Sequence, residues 1–397
     1  MVKSMKWILN DGRKVIPGIV MMLIMGTVYS YSVFRNPIED QYLVSKSLSG
    51  LPYMLSLFFY AVFMFLSGIL LEKLSVYKVM MIGIFLISFG WLIAYWSDNL
   101  MVLSLGYGLF IGSGIGLVYG IPLMIITHQY PNKKGIYMGL ILLGFGLSPF
   151  VTAPLLQMMI ESYGLSTSFL YMSIISFVSL FLLSLFYRHD QQANDRSIKV
   201  HITKKIHTRS FRILYLLFFI ATFIGLSVIG FSSTYAHESL NYSLTEAAFF
   251  VSLFAIFNGL GRVVYGYLID RFKPTNMMIL SFVLLSISSL VNIIFAELTA
   301  IFIVTFIIFW FNLGGWLAIA PVSVSTFFGQ KSYAKIYGVL FSAYGLSALI
   351  GVYVTGFLID TFKNYQSSFI VFFMLSLIGL AVSIYFNAVQ HTDEVVI

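Results

Sequence analysis

The 397 residues are 59% hydrophobic and only 10% charged, whereas a soluble domain carries roughly 25% charged residues; the chain has too little polar surface to face water on every side. There is no cysteine, which excludes disulfides, thiolate metal sites and a cysteine nucleophile. The formal net charge of +8 is spread over many short loops, so it is no nucleic-acid signal and suits anionic lipid instead.

Apolar runs of about 20 residues, each able to cross ~30 Å of hydrocarbon as a helix, recur from end to end. In chain order the predicted spans are 15–34, 51–71, 78–96, 101–126, 136–160, 168–187, 212–236, 247–269, 276–296, 299–326, 335–359 and 367–387. The first follows Lys3, Lys6, Arg13 and Lys14, as a signal peptide would. It is too long for an h-region and has no small-residue cleavage site, so it is read as an uncleaved span. Trp91, Tyr95 and Trp96, near the end of the third, are read as anchors at the membrane interface. After the sixth, the chain turns polar over 188–211, through Arg188, Lys204, Lys205 and Arg209. That stretch is read as a cytoplasmic linker between two six-helix bundles, 1–187 and 212–397. Alternate loops on the cytoplasmic side collect 19 of the 23 Lys and Arg, with 3 outside and one within a span. Such a bias predicts that both termini are cytoplasmic and that the chain is a multi-pass protein of the cell membrane.

The two halves repeat at an offset of about 199. Gly146-Leu147-Ser148 returns as Gly345-Leu346-Ser347, and Ile136-Tyr137 as Ile336-Tyr337. Pro122 returns as Pro321, and Gly68 with Glu72-Lys73 as Gly266 with Asp270-Arg271. A weaker echo lies within the second half, where Gly266-Tyr-Leu-Ile-Asp270 resembles Gly356-Phe-Leu-Ile-Asp360. Three-helix units nested in six-helix halves, with solute held between the halves near the midplane, form one large transporter architecture.

All 15 acidic residues and 22 of the 23 basic ones fall in loops or at span ends by this reading. The exception is Arg262, in Phe257-Asn-Gly-Leu-Gly-Arg-Val-Val-Tyr265. A guanidinium in a span costs from ~3 to well over 10 kcal/mol, so it must face the bundle interior. With no Asp or Glu in any span, two readings stand: contact with backbone carbonyls or the Asp270 loop, or a fixed cation awaiting an anionic ligand. A planar guanidinium matches a carboxylate in two-pronged fashion. Asn258 lies four residues earlier on the same face, placed to orient the guanidinium, meet solute or bond a neighbouring helix. Gly259 and Gly261 between them, and Gly108, Gly112, Gly116 and Gly120 in span 4, read as close-packing faces. Tyr29, Tyr31, Tyr119, Tyr344 and Trp316 are mid-span candidates for lining a pocket, since their polar groups need partners in lipid. At the loop after span 2, Glu72 and Lys73, and after span 8, Asp270 and Arg271, put a carboxylate beside a cation and suit a cytoplasmic gate. No nucleophile with its base, metal-ligand spacing or cofactor motif appears, so neither an enzyme nor a bound cofactor or metal is expected.

Twelve spans, the six-plus-six duplication and the Gly-x-x-x-Asp-Arg loop together resemble the major facilitator superfamily over essentially the whole chain. Three stretches are similar to the oxalate/formate antiporter family, a relative of the monocarboxylate transporters. They are Gly26-Thr-Val-Tyr-Ser-Tyr-Ser-Val-Phe-Arg-Asn-Pro37, Asn258-Gly-Leu-Gly-Arg262 and Tyr337-Gly-Val-Leu-Phe-Ser-Ala-Tyr-Gly345. The resemblance implies that Arg262 binds the substrate carboxylate and that Tyr29, Tyr119 and Trp316 enclose it. The oxalate-exchanging member carries a span-11 Lys for a second carboxylate, and Tyr344 stands at that position here. Asn258 replaces the Asp that the animal carriers link to proton coupling. The expected cargo is a small monocarboxylate of the lactate, pyruvate or formate class, moved by proton symport or anion exchange. The alternatives are an oxalate or dicarboxylate exchanger, or an exporter of another small organic solute.

Overall fold

A computed structural model describes residues 12–71, 73–129, 134–188, 203–295, 298–329 and 333–395. All regular structure in these stretches is helical. In lipid a backbone must satisfy its own hydrogen bonds, and long apolar helices do so. Helix α1 is broken: Gly12–Met25, a 3-10 stretch Gly26–Ser30, then Ser32–Tyr42, with 46° between its two arms. Helices α2 (Leu51–Leu71) and α3 (Val76–Tyr95) follow. α4 consists of Leu100–Leu103, a π-helical stretch Ser104–Ile111 and Gly112–Gln129. Then come α5 (Lys134–Tyr163), α6 (Leu165–Ser184), α7 (Arg209–Leu240), α8 (Leu244–Phe272), α9 (Pro274–Phe295), α10 (Thr299–Phe328), α11 (Tyr333–Phe362) and α12 (Gln366–Val395). Eleven are long and apolar enough to cross a membrane, and the bent pair of α1 makes twelve. Most of the predicted linker, 189–202, lies outside the described residues.

Local chemistry sets the helix ends. Ser75, Asn99 and Thr208 each accept a first-turn backbone N–H. Ser243 and Glu246 satisfy one another's backbone in a capping box at the start of α8. Asn241 closes α7 in the left-handed conformation, which Asn tolerates better than most residues.

The packing repeats at an interval of six helices. α1 lies against α5 and α7 against α11; α2 packs on α4 and α8 on α10; α3 packs on α6 and α9 on α12. The first six helices meet the last six through α5 against α8 and through α2 against α11.

Glycines permit the close approaches. A Cβ on Gly108 would stand 2.7 Å from the Leu55 Cβ of α2, and one on Gly116 2.5 Å from the Tyr60 carbonyl oxygen. The span-4 stripe therefore packs on α2 through Gly108, Gly112 and Gly116, whereas Gly120 has no heavy atom within 4 Å. In α1, Gly26 allows a similar approach to α5: a Cβ there would stand 2.6 Å from the Phe145 carbonyl oxygen and from the Ser148 Cβ.

Two sequence readings need correction here. Trp91 is no interfacial anchor; it is buried against Phe34, Tyr107 and Phe169, while Trp96 is 65% exposed. The first span does not stop at residue 34. Its second arm continues to Tyr42 and buries Arg35 to 3% exposure, so Arg35 is not a solvated loop charge.

Candidate substrate site

Arg262 is 5% exposed and points from α8 across the junction to α5. One terminal nitrogen donates to the Leu142 carbonyl at 2.8 Å, the other to the Asn258 side-chain oxygen at 3.4 Å. The Nε has no hydrogen-bond partner. Two ion pairs occur among the described residues, Arg35 with Glu39 and Lys46 with Glu238, and Arg262 belongs to neither. One arm thus rests on a backbone carbonyl, and the charge has no described carboxylate.

Asn258 does two jobs at once. Its oxygen meets the guanidinium, and its amide donates to the Trp310 carbonyl of α10 at 3.0 Å. Small residues make room for this. A Cβ on Gly146 would stand 3.0 Å from the Asn258 oxygen and 3.2 Å from the Arg262 Nε, and one on Gly259 2.9 Å from Leu143. Gly261 abuts Phe311 and Gly315 of α10. The glycines flanking Arg262 serve close packing on both sides.

Phe145 is the hub of the ring system beside the guanidinium. Arg262 lies 5.9 Å from its centroid, within cation–π range. Tyr29 and Tyr119 meet Phe145 edge-on at 5.1 and 5.3 Å, and Tyr60 stacks at 6.1 Å. Tyr60 also meets Tyr119, Phe341 and Tyr344. The Tyr29 and Tyr344 hydroxyls share a 2.6 Å hydrogen bond. The structure therefore gathers Arg262, Asn258, Tyr29, Tyr119 and Tyr344 at the junction between the first and last six helices.

Other candidates lie elsewhere. Trp316 donates its indole N–H to Ser281 of α9 and packs on Phe218 and Phe282. It reaches the central rings through Phe218 and then Phe341, which meets both Tyr60 and Tyr344. Tyr31 donates to the Ser49 carbonyl and stacks on Tyr53. Of the gate residues, Glu72 and the Asp270 side chain lie outside the described residues. Lys73 and Arg271 are exposed, and the Arg271 guanidinium lies over the Tyr267 ring.

The sequence pattern matches the family model of the Major Facilitator Superfamily over residues 18–326 and again over 213–395. The chain belongs to the Major Facilitator Superfamily. It is a multi-pass membrane transporter, and the second match begins close to the start of α7, where the helix packing begins to repeat. Among curated relatives, the oxalate:formate antiporter of Oxalobacter formigenes is 26% identical over 92% of this chain and 88% of its own. Monocarboxylate transporter 13 of Rattus norvegicus is 28% identical over 75% and 70%. Two solved structures share the fold with TM-scores of 0.76. One is a bacterial homologue of the human lysosomal transporter Spinster (14% identity, 94% and 96% covered), the other a D-xylose-proton symporter (13%, 95% and 97%).

Tyr60 and Phe145 were not singled out from the sequence, yet the duplication offset marks both. The 198-residue offset that relates Gly68 to Gly266 places Tyr60 opposite Asn258. The 199-residue offset of Gly146 and Gly345 places Phe145 opposite Tyr344. Four of the central side chains are thus two pairs of duplicated positions.

Proposed function

We propose that this transporter carries a small monocarboxylate anion, bound between Arg262 and the rings of Tyr29, Tyr60, Tyr119, Phe145 and Tyr344. The observation that carries the reading is the buried Arg262, which has no described carboxylate partner and an Nε left without any hydrogen bond. A bound carboxylate supplies the missing negative charge. At an intermediate effective dielectric that contact is worth about 4 kcal/mol before desolvation. The neighbouring side chains offer hydroxyl donors and apolar ring faces, with no second cation, which favours one carboxylate over two. Residues 1–187 and 212–397 act as two bundles, joined by 188–211, that rock about this site. Both termini lie in the cytoplasm, by the distribution of Lys and Arg.

The relation to the oxalate:formate antiporter supports a second reading, dicarboxylate exchange, in which the Tyr29–Tyr344 hydroxyl pair takes the far carboxylate. One experiment separates the two. Purified protein is screened by thermal shift against C1–C5 mono- and dicarboxylates, followed by uptake into liposomes, with Arg262→Gln in parallel. Stabilisation by monocarboxylates that disappears in the variant supports the first reading. Larger stabilisation by oxalate favours the second. Stabilisation by amines alone, or an unaltered carboxylate response in the variant, overturns both.

A further inference from the structure

The Gly356-Phe-Leu-Ile-Asp360 echo has no part in the central site, and the structure gives it a position. Asp360, near the end of α11, accepts the backbone N–H groups of Lys46 and Ser47 at 3.0 and 2.8 Å. Those two residues open the helical turn Lys46–Ser49 that leads into α2. A carboxylate is favoured there by N–H groups that have no partner within the turn. One turn earlier, Gly356 lets α11 touch that turn: a Cβ would stand 2.5 Å from the Ser47 Cα and 2.8 Å from its nitrogen.

Around this clasp, further bonds join the first six helices to the last six. Lys46 pairs with Glu238 of α7, which also accepts from Tyr365. Arg35, buried on the second arm of α1, donates to the Gly230 carbonyl of α7 at 3.1 Å. It also donates to the Ser49 hydroxyl and the Lys46 carbonyl, beside Glu39. These contacts lie toward the opposite end of α7 from its first residue, Arg209.

We propose that Gly356, Asp360 and Arg35 form the latch that holds this end shut, and that its release gives solute access to the central site from that side. The proposal rests on the carrier reading for its role in transport, though not for its geometry. Two rigid bundles cannot part here while Asp360 holds the α2 turn and Arg35 holds α7. The latch consists of a few charge-assisted hydrogen bonds and one tight backbone contact, so it can break and re-form as a unit.

The test uses the absence of native cysteine. Thr234 on α7 is buried, next to Tyr365 and one turn from Gly230. In a Thr234→Cys background, maleimide labelling reports opening of this end without any substrate. Asp360→Asn and Arg35→Gln are expected to speed labelling by about tenfold or more, since each removes hydrogen bonds to or from a charged group. Gly356→Leu, which keeps the carboxylate but wedges the clasp apart, is expected to do the same, and Asp360→Glu to restore slow labelling in part. In Asp360→Asn the carboxylate-induced thermal shift persists while the maximal uptake rate falls. Unchanged labelling in all three disruptive variants, each monodisperse on gel filtration, overturns the latch. If labelling responds but no carboxylate stabilises the parent protein, the carrier reading fails and the latch stands.

Discussion

The Tyr29 and Tyr344 hydroxyls, 315 residues apart in the chain, lie 2.6 Å from each other and tie α1 to α11. The bond crosses from the first six helices to the last six beside the Arg262 site. Removing one hydroxyl leaves the other buried. Tyr344→Phe is expected to cost about 1 kcal/mol of the closed arrangement and to lower the uptake rate, measured in liposomes, with little change in fold by circular dichroism.

Tyr344→Lys tests the charge count. An ammonium opposite Arg262 gives the site a second cation, so dianions are expected to gain. The ratio of oxalate-induced to formate-induced thermal shift should rise in this variant. An unchanged ratio would place Tyr344 away from the solute.

Arg262→Gln is expected to abolish carboxylate stabilisation, with at least a tenfold loss of affinity, which is 1.4 kcal/mol. Without ligand it should melt no lower than the parent, because an unpaired buried charge burdens stability. A large fall in unliganded melting temperature would mean that the Leu142 carbonyl contact is structural.

Asn258→Asp sets a carboxylate within reach of Arg262. When ionised it competes with the anion; when protonated it releases the guanidinium. Uptake by this variant is therefore expected to be weak at neutral pH and to rise as pH falls, more steeply than in the parent. A parallel pH profile in both proteins counts against competition at this site.

Gly146→Val is expected to block uptake. Even a Cβ at this position stands 3.0 Å from the Asn258 oxygen and from the Gly259 Cα, and two further carbons force α5 and α8 apart. The repeat-related Gly345, whose Cβ would stand 2.8 Å from Ala61, predicts a similar defect at the α2–α11 contact. Binding and uptake assays on both variants check this.

The fold was legible because lipid imposes a simple rule: a run of about 20 apolar residues is a helix. Arg262 was legible for the complementary reason, as a charge amid apolar sequence. Arg35 was not, since it sits where hydropathy falls off, and a charge at a span end looks the same whether solvated or buried. Trp316 shows a limit of resemblance. It lies on α10 as expected, but its indole N–H faces Ser281 on α9, and helical spacing alone does not distinguish the two faces of a helix buried on both. Tyr60 and Phe145 were hidden in plain view, being apolar enough to pass as core; only the repeat offset tells them from the other aromatic residues.

The paired positions have a stereochemical consequence. The helix packing repeats from the first six helices to the last six, yet Asn258 stands at the repeat position of Tyr60, and Tyr344 at that of Phe145. Gene duplication supplied a mould with twofold form, and substitution gave its walls unequal character. On the proposed carrier reading, an anion with a carbon tail then has one favoured way to lie, its carboxylate toward Arg262 and its tail among the rings.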